Sequence, residues 1–199
     1  METHYNSLVA GVDEVGRGCI AGDVLAAAVI LRPKKLIEGL ADSKAISGNQ
    51  RSFLYEEIIQ DCMCYAIGRA SVDEIDRFNI LQATLLAMKR AVDSLKIKPH
   101  RVMVDGNALP KWEYDSEAVI KGDSKVPEIS AASIIAKVTR DKEMNVLAQK
   151  YPGYGFRKNK GYGTLQHKEA IKTKGFSDCH RKTFSPIREM MHDRQDCLF

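Results

Sequence analysis

The spacing of apolar and polar residues changes several times along the chain, and each change marks an element. Residues 8–12 form a short apolar run, and residues 23–31 (Asp-Val-Leu-Ala-Ala-Ala-Val-Ile-Leu) form a second, stopped by Arg32-Pro33. The turn between them, Gly16-Arg17-Gly18, predicts two strands connected by a tight reversal. Ser47 is placed to cap a helix carrying Phe53, Leu54, Ile58 and Ile59, and residues 62–70 then alternate as a third strand. The first 70 residues thus read as a three-strand meander with one inserted helix.

Helix and strand alternate after that. Residues 73–78 suit a short helical turn, and Asn79 can cap a longer helix with Ile80, Leu81, Thr84, Leu85, Met88 and Val92 at helical spacing, ended by Pro99. Residues 101–106 form a strand closing in Asp105-Gly106, and residues 117–123 repeat the design, closing in Gly122-Asp123. Such alternation implies parallel pairing. Pro127 or Glu128 opens a long helix to about Lys150, with Ile129, Ala132, Ile135, Ala136, Thr139 and Met144 as its buried stripe. A loop rich in Gly, Lys and Tyr follows over 151–164, then helices over 164–174 and 186–191. No internal repeat or flexible linker divides the chain, which predicts a single domain over 1–199 with 164–199 as a helical C-terminal appendage.

Composition adds little to this picture. With 199 residues and a hydrophobic fraction of 44 % the chain can bury a substantial core. Net charge is +4, with 30 Lys and Arg against 26 acids, so clustering matters more than the total. Five cysteines without a Cys-x-x-Cys pair read as reduced thiols of a cytoplasmic protein. No run is long and apolar enough for a membrane span, and the N-terminus lacks the basic start and apolar core of a signal peptide.

The chemistry concentrates in the acids. Asp13-Glu14 ends the first apolar run, Asp105 the fourth strand and Asp123 the fifth, each with glycine nearby. Read singly, each is a strand passing into a polar turn. Read together, they place acids where ligands collect, outside the carboxyl ends of neighbouring strands. Neighbouring side chains of one strand point to opposite faces, so Asp13 and Glu14 could share an ion only where the backbone bends. Crowded carboxylates repel unless a cation lies between them. Two divalent ions would suit phosphodiester hydrolysis, one activating water and one stabilising the leaving oxygen.

Several motifs, in order, carry a family resemblance: Gly11-x-Asp13-Glu14-x-Gly16-Arg17-Gly18, Asp42-Ser43-Lys44, Asp105-Gly106-Asn107, Lys121-Gly122-Asp123, Ala132-Ser-Ile-Ile-Ala-Lys-Val-x-Arg140-Asp141 and Lys160-Gly161-Tyr162. From Val9 to Phe184 the chain resembles bacterial ribonuclease HII. The resemblance implies an α/β ribonuclease H-like fold, a mixed five-stranded sheet flanked by helices. It implies Asp13, Glu14, Asp105 and Asp123 as metal-binding catalytic acids, with Mg²⁺ or Mn²⁺ as cofactor. Gly16, Arg17 and Gly18 would contact the nucleic acid beside the scissile phosphate, close enough to sense a ribose 2′-hydroxyl, and Tyr162 would stack on the following deoxyribose. The implied activity is hydrolysis of RNA in RNA/DNA hybrids and nicking 5′ to single ribonucleotides in duplex DNA, leaving 5′-phosphate and 3′-hydroxyl ends, by a monomer.

Basic residues interleaved with aromatics over 151–182 suit phosphate tracking, with Arg157, Lys158, Lys160, Lys168, Lys172, Lys174, Arg181 and Lys182 as candidates, and Lys44 and Lys137 as further phosphate or active-site contacts. His167 and His180 lack metal-ligand spacing and read as surface or substrate-side residues. Ser130 and Ser133 have no His-Asp arrangement for a nucleophile. The competing readings are a nucleic-acid-binding module without chemistry, and a related nuclease such as the type III ribonuclease H, which would carry an added N-terminal domain.

Overall fold

A computed structural model describes residues 8–33, 35, 37–40 and 46–196 of the chain. Five strands, β1 (Val9–Val15), β2 (Val24–Ile30), β3 (Cys64–Ala70), β4 (Arg101–Asp105) and β5 (Ser116–Val119), form one sheet in the order β3-β2-β1-β4-β5. The meander β1-β2-β3 is antiparallel, whereas β4 and β5 are added in parallel, so the sheet is mixed as expected.

Helices cover both faces of the sheet. Along β2, alternate residues Val24, Ala26, Ala28 and Ile30 meet Ala83, Ala87 and Met88 of α3 (Ile80–Asp93), while Ala27 and Val29 meet Leu54 and Ile58 of α1 (Gly48–Asp61) and Ala131 and Ile135 of α4 (Pro127–Lys150). With a helix layer on each side, every residue of β2 is buried, which explains an unbroken apolar run in a strand. Two glycines set the helix-to-sheet spacing. A Cβ on Gly11 of β1 would lie 2.0 Å from the Glu128 backbone at the start of α4, and one on Gly68 of β3 would lie 2.0 Å from the Ala87 carbonyl of α3.

Local signals account for the helix boundaries. Ser47 caps α1 in a reciprocal capping box with Gln50, and Asn79 caps α3 through its Oδ1, which accepts from the Leu81 and Gln82 N–H groups. A second capping box, Ser71 with Glu74, starts α2 (Val72–Phe78) one residue before the helix sought at Asp73. Phe53 and Leu81, assigned to apolar stripes, are in fact exposed, because α1 and α3 turn those positions away from the sheet. Thr139 is only half-buried, and the buried face of α4 instead takes in Ile134, Val138 and Arg140.

The loop expected over 151–164 contains a one-turn helix, α5 (Phe156–Asn159), too short to show periodicity. With α6 (Leu165–Lys174) and α7 (Ile187–Asp196) it builds a third cluster in which Phe156, Ile171 and Ile187 pack with Met144 of α4 and Ile20 of the β1–β2 connection. The four cysteines among the described residues, Cys19, Cys62, Cys64 and Cys179, are free and buried; Cys197 lies outside them. No described helix is long and apolar enough to cross a membrane.

Gly11→Ala drives a methyl group into backbone that cannot yield without moving α4. We expect a loss of about 3 kcal/mol in urea unfolding, against near-neutral behaviour for Gly48→Ala, where a Cβ meets nothing within 4 Å.

Candidate active site

β1 lies between β2 and β4, and its parallel register with β4 ends on Val12 opposite Val104. The next residues, Asp13 and Asp105, are therefore neighbours at the carboxyl ends of adjacent parallel strands. Val12 and Val104 face α3, which turns Asp13 and Asp105 toward α4. Glu14 starts from the opposite face, yet one oxygen each from Asp13, Glu14 and Asp105 lies within 4.8 Å of the others. The bend expected between Asp13 and Glu14 is not there: ladder pairing with β2 continues through Asp13↔Ala27 and Glu14↔Ala26 to Val15. The length of the glutamate side chain closes the gap instead.

Asp123 sits in a 3₁₀ turn (Gly122–Ser124) after β5, buried, with its carboxylate outside the three-oxygen group. The turn is tied to the group by Asp105 Oδ1, which accepts from the Gly122 N–H at 2.6 Å. Gly122 has no room for a Cβ, since Ile129 of α4 would lie 2.5 Å away.

Proton affinities reflect the crowding. Burial, then the Glu14 charge, holds the Asp13 carboxyl well above its usual range, against the lowering effect of a hydrogen bond from Ser133 of α4. Burial also raises Glu14, opposed by Arg17, whose Nη1 donates to Glu14 Oε1 at 3.2 Å. Crowded carboxylate oxygens, that of Asp13 buried and those of Glu14 and Asp105 partly so, suit a hard divalent cation, so Mg²⁺ or Mn²⁺ fits the donor set of Asp13, Glu14 and Asp105.

The Glu14–Arg17 contact leads into Gly16-Arg17-Gly18. Gly16 has φ +96°, and a Cβ there would lie 2.4 Å from Arg140 Nε, so the fold by itself demands glycine. Gly18 differs: it is exposed, and the nearest atom to an added Cβ is Tyr162 Cε1, 3.8 Å away. Tyr162 is 45 % exposed, so one open surface carries Arg17, Gly18 and the tyrosine ring.

Two buried arginines hold that turn. Arg181 donates to the carbonyls of Gly16 (2.7 Å), Arg17 (2.9 Å) and Gly22 (2.8 Å), and Arg140 to those of Ala21 (3.0 Å) and Lys160 (2.6 Å). The carbonyls of Gly16 and Arg17 are thereby turned inward, while the N–H groups of Arg17 and Gly18 donate to no acceptor among the described residues. Burial lowers Arg181 to about 10, which still leaves it charged at neutral pH.

Several basic candidates are thus reassigned. Arg181 is a buried brace rather than a phosphate contact. Lys137 pairs with Asp141 at 2.8 Å, and Lys160 donates to Asn145 Oδ1 at 2.8 Å. Arg157, Lys158, Lys168, Lys172, Lys174 and Lys182 are exposed, and Lys44 lies outside the described residues. His167 and His180, expected at the surface or on the substrate side, are fully buried and joined Nε2 to Nε2 at 3.1 Å. Ser133, which has no nucleophilic arrangement, instead lies close enough to Asp13 to lower its proton affinity, a relation that the Ala-Ser-Ile-Ile-Ala spacing alone does not reveal.

Comparison with known proteins fits this geometry. The family model for ribonuclease HII matches residues 10–187. The chain belongs to the ribonuclease HII family. It is 54 % identical over 189 residues to a ribonuclease HII of Coxiella burnetii, covering 95 % of this chain and 94 % of the relative, and equally identical to one of Alteromonas mediterranea, covering 95 % and 100 %. Among solved structures, ribonuclease H2 from Pyrococcus horikoshii superposes with TM-score 0.79 at 32 % identity, covering 94 % of this chain and 98 % of that one. As a member of the ribonuclease HII family the chain is a ribonuclease, and its sheet is the ribonuclease H-like sheet that the order of motifs implied.

Two outcomes follow from the electrostatics. Added Mn²⁺ is expected to raise the melting temperature of the wild type by several degrees. Asp105→Asn should lose that shift in the same thermal scan, while melting no lower than the wild type in chelator, since one of three repelling charges is gone. The histidines give the second. His180 is pushed down to about 4 from an ordinary 6.5 by burial and the adjacent His167 ring. Across that window the unfolded chain binds a proton that the folded pair refuses, so the pair's contribution is whole above pH 6.5 and is lost as pH falls toward 4. The urea-unfolding gap between wild type and His180→Phe should narrow over the same range.

Proposed function

We propose that this protein is a metal-dependent endoribonuclease that hydrolyses the RNA strand of RNA/DNA hybrids and nicks duplex DNA 5′ to a single embedded ribonucleotide, leaving 5′-phosphate and 3′-hydroxyl ends. The observation that carries the reading is the convergence of Asp13, Glu14 and Asp105 at the end of the sheet, one ion pair from an exposed Arg17-Gly18 backbone beside Tyr162. Membership of the ribonuclease HII family supports the substrate class.

In this reading Asp13, Glu14 and Asp105 hold Mg²⁺ or Mn²⁺, and Asp123, tethered beside Asp105 through Gly122, completes the donor set for a two-ion site. These residues would hold divalent ions whose chemistry, once bound, would be to lower the pKa of an attacking water and to offset charge on the departing 3′ oxygen. The protein supplies the rest. Gly18 lets the strand approach without a Cβ in the way, and the N–H groups of Arg17 and Gly18, without an acceptor among the described residues, face outward to meet a ribose hydroxyl or the neighbouring phosphate oxygens. Arg17 both pairs with Glu14 and presents positive charge to the backbone. Tyr162 offers its ring beside Gly18 for packing against the following sugar, which selects an RNA-to-DNA junction. Exposed Arg157, Lys158 and Lys168 extend the phosphate track.

Purified protein incubated with duplex DNA carrying one ribonucleotide is expected to nick on its 5′ side with Mg²⁺ or Mn²⁺ and not with chelator. Asp13→Asn should abolish the nick while still melting cooperatively. Binding without nicking by the wild type would identify a module that keeps the fold but not the chemistry, and unchanged turnover in the variant would remove the carboxylates from the mechanism.

A further inference from the structure

Three short segments meet beside the carboxylate group, and the one carrying Gly16-Arg17-Gly18 runs through the middle. On one side Cys19 pairs with Tyr162 in an isolated antiparallel bridge, and the Ile20 N–H donates to the Gly161 carbonyl at 2.9 Å. On the other side Ala21 pairs with His180, the Gly22 N–H donates to the Cys179 carbonyl at 2.8 Å, and the Arg181 N–H donates to the Ile20 carbonyl at 2.9 Å. The two outer segments are linked to each other by the contact between His167 and His180.

The partners of these rings fix their protons. The Ser177 N–H donates to His180 Nδ1 at 3.0 Å, so that nitrogen accepts and the proton of the neutral ring is on Nε2. His180 Nε2–H therefore donates to His167 Nε2 at 3.1 Å, which leaves the His167 proton on Nδ1, donating to the Tyr162 carbonyl at 2.8 Å. The result is a one-directional chain, Ser177 to His180 to His167 to Tyr162, satisfied only while both rings are neutral. Both rings are fully buried, walled by Tyr154 and Phe156, so water does not replace a lost partner. Neither ring belongs to the carboxylate group, and the chemistry proposed above does not use them.

The chain of bonds ends on the backbone of Tyr162, whose ring borders Gly18. Tyr162 follows Lys160 and Gly161, both with positive φ, at 51° and 86°, a stretch whose course is held by its contacts rather than by backbone preference. We propose that His167 and His180 are positioning residues for ribonucleotide recognition: as a neutral pair they hold the Tyr162 backbone against Cys19, and so set the spacing between the tyrosine ring and Gly18. The proposal rests on the reading of Tyr162 and Gly18 as the walls of the sugar site.

The test uses shape-matched replacements in the full chain. An asparagine amide falls near Nδ1 of histidine and a glutamine amide near Nε2, so His167→Asn keeps a donor for the Tyr162 carbonyl while His167→Gln keeps only the contact to His180. On duplex DNA with one ribonucleotide, His167→Gln is expected to lower kcat/KM about tenfold, as small misplacements of a substrate-positioning group do, and His167→Asn to remain close to wild type. In a Tyr162→Ala background the glutamine replacement should cause no further loss. Should His167→Gln fail to fold, His167→Leu, which fills the buried space but likewise leaves the Tyr162 carbonyl without its donor, is expected to show the same loss only when Tyr162 is present. Equal losses from Asn and Gln, or a loss that persists without Tyr162, would reduce the pair to a structural role. A Tyr162→Ala enzyme with undiminished kcat/KM would instead overturn the sugar-site reading itself.

Discussion

Mutual repulsion among crowded carboxylates is the constraint around which this molecule is organised. Asp13, Glu14 and Asp105 bring oxygens within 4.8 Å of one another, with Asp13 almost fully buried, an arrangement that opposes folding unless protons or cations intervene. The rest of the core holds them there regardless. Gly11 lets α4 close on β1, Ser133 on that helix reaches Asp13, and Gly122 passes beneath Ile129 to place its N–H on Asp105. The apolar layers on both faces of β1 and β2 supply the stability that the site subtracts.

A second frame, built mainly from the C-terminal third, fixes the nucleic-acid side. Arg140 and Arg181 draw the carbonyls of 16–17, 21–22 and 160 inward, and buried guanidinium groups with several carbonyl acceptors are suited to that because each offers five donors in a plane. Turning those carbonyls in leaves the Arg17 and Gly18 N–H groups facing out. The two frames meet at Glu14 and Arg17, so the ion site and the surface that would read the sugar are one hydrogen bond apart.

Much of this was legible in the sequence, for reasons that particular residues make clear. Acids that terminate apolar runs declare themselves, and Asp13 and Asp105 needed only the parallel neighbour relation of β1 and β4 to meet. Capping at Ser47 and Asn79 is local chemistry and was read locally. What stayed hidden depends on tertiary burial. Arg181 and Lys160 sit in a basic stretch where solvation is the ordinary fate, and His167 and His180 are thirteen residues apart with no spacing rule to pair them. Gly16 looked like a glycine kept for a ligand, whereas Arg140, more than a hundred residues later, occupies the space its Cβ would need. The bend sought between Asp13 and Glu14 was a backbone solution to a problem that one extra methylene solves.

The central claim is that these oxygens form a shared cation site, and anomalous diffraction from crystals soaked in Mn²⁺ tests it most directly. Density between Asp13, Glu14 and Asp105, absent from crystals of Asp13→Asn, is the predicted result. Manganese located only at other carboxylates, with these three left protonated or turned apart, would contradict it.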